Sequence, residues 1–107
     1  MNMDEINNIA FQIIGFAGDG KCDCMEAVEE AKEGNFDAAE ELLKKGEEAI
    51  NQAHEVHTKL LFAEAQNPGS VQPTIMFVHA SNHLAIAEWS LEDCRMKVEI
   101  YRLLKTK

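Results

Sequence analysis

The chain has 107 residues, enough for one domain with a modest core. Its 19 acidic residues against 10 basic ones give a formal charge of -9, which opposes contact with phosphate backbones and anionic membranes and excludes nucleic acid as an expected partner. No apolar run approaches the roughly 20 residues of a membrane span, and Met1-Asn2-Met3-Asp4-Glu5 lacks the basic start of a secretory signal, so the chain reads as cytoplasmic.

A first helix is predicted over about 4–33. Apolar or small residues recur there as Ile6, Ile9/Ala10, Ile13, Ala17, Gly20, Cys24, Ala27/Val28 and Ala31, stepping by three or four. Asp4 and Glu5 suit the positive end of its macrodipole, and Gly34 suits its C-terminal cap. Interior glycines at 15, 18 and 20 each cost about 1 kcal/mol relative to alanine, which argues for a kink or for close approach of another backbone. Cys22 and Cys24 form C-x-C, and residues two apart on a helix diverge, so with Cys94 they read as ordinary reduced cysteines.

Asn35 is a good N-cap directly after Gly34, so the second helix, about 36–65, folds back antiparallel on the first. Its buried stripe is Phe36, Ala39, Leu43, Gly46, Ile50, Ala53, His57 and Leu60. Glu40 with Lys44 and Glu41 with Lys45 are spaced for i,i+4 pairs on a solvated face.

Gln66-Asn67-Pro68-Gly69-Ser70 breaks the pattern, and Pro73 suits the first turn of a third helix running from about 73 to 104. That helix carries two apolar stripes: Leu84, Ala87, Leu91, Cys94, Val98 and Tyr101 on one side, and Ile86, Trp89, Met96, Ile100 and Leu103 on the other. One stripe suffices for a three-helix subunit. The second therefore predicts a homo-oligomer assembled through the third helix, in an all-α class of long antiparallel helices with short connections.

Val78-His79-Ala80-Ser81-Asn82-His83-Leu84 opens this helix and places two histidines at i and i+4 on one face. An imidazole, whose ordinary pKa is about 6.5, serves as a nucleophile or an acid-base group near neutral pH. From spacing alone three readings stay open: a phosphoryl-accepting histidine with a helper, half of a metal site, or two histidines that fill space.

Three segments in order narrow the choice. They are Ala17-Gly18-Asp19 with the later Glu33-Gly34-Asn35-Phe36, then Ala53-His54-Glu55-Val56-His57-Thr58-Lys59-Leu60, and then the H-x-x-x-H segment itself. With these the chain resembles the lactose/cellobiose-type enzyme IIA proteins of the bacterial phosphoenolpyruvate-dependent sugar phosphotransferase system over nearly its whole length. The resemblance implies an antiparallel three-helix subunit assembled as a homotrimer. It also implies that His79 accepts a phosphoryl group from the histidine-containing phosphocarrier protein and passes it to a cysteine of the cognate IIB protein, while the membrane IIC component carries the sugar. His83 would orient His79 or stabilise phosphoryl charge, and Ser81 is a candidate phosphoryl contact.

Two positions depart from the family. Its usual pattern is H-x-Q-D-H, with the aspartate associated with a metal ion shared by the subunits on the three-fold axis; Ser81 and Asn82 stand there instead. Three amides can hydrogen-bond to one another where three carboxylates would call for a cation, so an axial divalent metal such as Mg is expected to be lost or much weakened. His57, where the family more often has glutamine, reads as a hydrogen-bonded core histidine. The rival classes are a metal-binding bundle using His79 and His83 with His54 or His57, and a non-catalytic oligomeric adaptor. Substituting His79 separates them, because only the phosphocarrier reading predicts lost phosphate acceptance.

Overall fold

Two of the three helices begin on a residue whose side chain caps them. In the computed structural model, which describes residues 1–106, the chain forms α1 (Met3–Lys32), α2 (Phe36–Gln66) and α3 (Ile75–Lys105), with no strand among the described residues. Asn2 caps α1 in a capping box: its side chain accepts from the Glu5 amide at 2.8 Å, and Glu5 reaches back to the Asn2 amide. Gly34, at φ 83, ends the helix. The Gly34 amide returns to Ala31 O and the Asn35 amide to Glu30 O, a Schellman arrangement that a left-handed glycine makes possible. The three residues left over force α2 back along α1, as expected.

Asn35 takes the N-cap position of α2 but uses its side chain otherwise, donating to Glu30 Oε2 at 2.9 Å. The third helix starts later than expected. Pro73 precedes the helix, and Thr74 is the cap, its hydroxyl accepting from the Phe77 amide at 3.0 Å. A capping hydroxyl satisfies a donor that proline merely removes, so the threonine sets the boundary.

The core follows the expected stripes, from Ile6 through Ala31 on α1, Ala39 through Leu60 on α2 and Ala80 through Val98 on α3. Helix α1 packs along both others, whereas α2 and α3 meet less closely, and the molecule is a rod of 57 × 20 × 18 Å. Between α2 and α3 lies an open groove of about 950 Å³ floored by Ile50 and Leu91 and edged by His54, Glu88 and Trp89.

Only one of the three interior α1 glycines marks a close approach. A Cβ on Gly20 would lie 2.7 Å from the Gly46 carbonyl oxygen, and one on Gly46 would lie 2.8 Å from the Gly20 carbonyl oxygen. The two glycines let α1 and α2 touch backbone to backbone. A Cβ added at Gly15 or Gly18 would meet no atom of another element within 4 Å, so the expectation of close approach fails there.

The expected surface pairs on α2 also differ. Glu40 turns to Arg102 of α3 at 2.8 Å, and the Arg102 guanidinium lies 5.0 Å from the centre of the Phe36 ring. An inter-helix partner with a cation–π anchor outcompetes a flexible lysine on the same face. Glu41 and Lys45 form no ion pair among the described residues.

Candidate functional site

The start of α3 is fastened on two sides before any histidine is reached. Thr74 is only 6% exposed. Its hydroxyl donates to Asn7 Oδ1 of α1 at 2.7 Å while capping α3, so one buried group fixes both the position and the first turn of the helix. The connection leading to it is held by Glu64, whose carboxylate accepts from the amides of Gly69 and Val71; those bonds, Gly69 first, keep its pKa below the usual carboxylate value. Neither Thr74 nor Glu64 stood out as a site-building residue in the sequence. The threonine three residues before Phe77 was the available signal.

From that fixed start, His79 and His83 stand one turn apart. Their Nε2 atoms are 3.1 Å apart and their rings meet edge to face, with centroids 4.5 Å apart. Such a contact needs one Nε2–H donor and one Nε2 lone pair, so the two rings share a proton between them. His79 is exposed and His83 half-buried. The outer ring is open to solvent, with the inner ring in contact behind it.

Ser81 lies between them in sequence but turns toward α2. Its hydroxyl donates to the Phe77 carbonyl at 3.0 Å, a back-bond within the helix, which leaves the oxygen to accept from His57 Nε2 at 2.9 Å. His57 also stacks on Phe77, with centroids 5.4 Å apart and planes at 4°. Burial, followed by the nearby His54 charge, pushes the His57 pKa below its ordinary value, against an opposing pull from Glu88. His57 is thus the hydrogen-bonded, partly buried histidine expected. The structure brings Ser81 to this ring and not to the His79–His83 pair. His54 sits farther along α2, exposed, 3.3 Å from Glu88 Oε1 across the groove.

Asn82 lies exposed one residue before His83. Its amide oxygen can ligate a divalent cation but brings no charge to balance it, so it fits such an ion less well than a carboxylate does. Among the described residues no group of three His, Cys, Asp or Glu side chains converges, so His79 and His83 lack a third ligand within the chain. The thiols of Cys24 and Cys94 are buried; burial is the main cause that pushes Cys24 up to about 11 and Cys94 upward as well. No helix among the described residues is long and apolar enough to cross a membrane.

Comparison with known proteins agrees with this geometry. The family model described as the lactose/cellobiose-specific IIA subunit of the phosphotransferase system matches residues 8–102. The chain is 32% identical over 102 residues to the lactose-specific EIIA component of Staphylococcus epidermidis, covering 95% of this chain and 97% of that one. With the corresponding component of Streptococcus mutans the identity is 30% over 102 residues, 95% of this chain and 97% of that one. The crystal structure of the cellobiose-specific enzyme IIA from Bacillus anthracis superposes with a TM-score of 0.91 at 32% identity, covering 100% of this chain and 95% of that one. The IIA(chitobiose) protein, solved in complex with HPr from the Escherichia coli phosphotransferase system, gives a TM-score of 0.82 at 28% identity, covering 94% and 96% of the two chains. A three-helix rod, a histidine pair on the first turns of α3 and a family match across nearly the whole length converge: the chain belongs to the lactose/cellobiose-specific IIA subunit family of the sugar phosphotransferase system.

Proposed function

We propose that His79 is the phosphoryl-accepting residue and that the protein carries phosphate from a histidine-containing phosphocarrier protein to a cysteine of a cognate IIB protein. The observation that carries this is the exposed His79 ring held by its 3.1 Å contact with His83. Phosphoryl transfer asks for an in-line lone pair and for stabilisation of charge on the equatorial oxygens, with little covalent chemistry from the protein. A bond forms between His79 Nε2 and phosphorus as the donor's nitrogen–phosphorus bond breaks, and the electron pair returns to the donor ring. The Nε2–H of His83 then turns from the imidazole to a phosphoryl oxygen. Onward transfer reverses the roles, with a thiolate of the IIB protein attacking the phosphorus and the pair returning to His79.

In this reading the protein works in the cytoplasm as a homotrimer, and a membrane IIC component carries the disaccharide. The exposed second stripe of α3 supports self-association, and the E. coli IIA(chitobiose)–HPr complex supports the donor. Purified protein mixed with phosphoenolpyruvate, enzyme I and the phosphocarrier protein is expected to gain one acid-labile phosphate on His79. No phosphate on a folded sample, or phosphate that persists in His79→Ala, overturns the assignment.

A further inference from the structure

The outward stripe of α3 is regular over its whole length. Ile75, Ile86, Trp89, Met96, Ile100 and Leu103 are all exposed in the subunit, Trp89 by 77%. Three polar residues complete the same row: His79, Asn82 and Asp93. Every step from Ile75 to Leu103 is then four or three residues, a 3.5-residue period sustained for four heptads. That period is the seam of a left-handed coiled coil, so the partner it fits is a further copy of α3.

The charges beside the seam select a parallel arrangement. Glu92 precedes one core position and Lys97 follows the next, five residues on, the relation that brings opposite charges together between parallel neighbours. Glu92 is shared with Arg95 of its own chain at 3.0 Å, and Glu99 repeats the acidic flank one heptad later. In an antiparallel pair those acidic flanks would face each other.

Of the three polar seam residues, Asn82 and Asp93 are complete without a cation. An asparagine amide carries donor and acceptor together, so Asn82 side chains from parallel copies satisfy one another in register and in no shifted register. Asp93 is neutralised from within its own chain by Lys97 at 2.8 Å. We propose that the α3 seam holds without a metal ion, its register fixed by Asn82 and the Asp93–Lys97 pair. The proposal rests on the self-association put forward above and adds its metal independence.

The test uses the full chain in sedimentation equilibrium, with EDTA and then with magnesium, alongside metal analysis of the protein as purified. Wild type is expected to keep its assembled mass in both buffers, with less than about a twofold change in association and no stoichiometric metal. Asn82→Asp is expected to lose at least about tenfold in association in EDTA and to recover with magnesium, because three carboxylates repel without a cation. Lys97→Met, which strips Asp93 of its partner and a neighbour's Glu92 of its counter-charge, is expected to weaken assembly in both buffers. A wild type that dissociates in EDTA, a metal ion copurifying with each assembly, a monomeric wild type, or an Asn82→Asp variant indifferent to EDTA each overturn the proposal. Phosphate acceptance measured on the same samples separates the readings: chelator-resistant assembly without phosphorylation removes the phosphocarrier role and leaves the seam standing.

Discussion

The Nε2 atoms of His79 and His83 face each other at 3.1 Å, so the lone pair that would attack phosphorus and the N–H that would steady it lie within one turn of a single helix. Their separation is set by helix geometry alone, which makes the two roles separable by mutation. His79→Ala is expected to abolish phosphate acceptance. His83→Ala should retain it at a rate lower by about 10²-fold, the scale of losing one well-placed donor at a charged transition state. Single-turnover transfer from phosphorylated phosphocarrier protein measures both.

The Thr74 hydroxyl joins α1 to α3 and caps α3 in the same stroke. Thr74→Ala is expected to cost about 1–2 kcal/mol, the value of a lost cap with a buried partner left unpaired, whereas Thr74→Ser should recover most of it. Hydrogen exchange should show the loss first at the amides of Met76 to Val78, one turn before His79.

At the α1–α2 contact, Gly20 and Gly46 should be intolerant of a methyl group while Gly15 welcomes one. Alanine at either contact glycine would meet a backbone carbonyl, which cannot swing aside as a side chain can. Each is expected to destabilise by about 2–3 kcal/mol. Gly15→Ala, with open space around its Cβ, should stabilise by about 0.5–1 kcal/mol through helix propensity. Urea unfolding of the three variants gives the comparison directly.

His57 predicts an acid-side loss of stability. Its pKa in the folded chain lies below the ordinary histidine value, chiefly through burial, so the unfolded chain binds the proton more readily. The stabilising effect is complete above about pH 6.5 and is lost as pH falls from there through the folded value. Urea midpoints from pH 7.5 to 5 should show a shallower decline in His57→Gln than in wild type. An identical slope in both proteins would remove His57 as a contributor.

Thiol labelling should separate the cysteines by burial. Cys22 is exposed, whereas Cys24 and Cys94 are buried with thiols pushed above their ordinary pKa. Iodoacetamide at neutral pH should therefore modify Cys22 in the native protein and all three residues only after denaturation.

What the sequence determined by itself was whatever repeats with the helical period or is punctuated by a residue of special conformation. The three core stripes, the turn at Gly34 and the pairing of His79 with His83 all follow from spacing along one helix, where 3.6 residues per turn fixes which side chains meet. The second apolar stripe of α3, from Ile86 to Leu103, was legible for the same reason.

Only the tertiary structure decided relations between helices, because rotation and axial offset of packed helices depend on side-chain volumes at every contact and not on the period of either one. It gave Ser81 to His57 in place of the histidine pair, turned Glu40 from Lys44 to Arg102, and tied Thr74 to Asn7. It also distinguished Gly20, pressed against the Gly46 backbone, from Gly15 and Gly18, which share its chain and its composition but face open space.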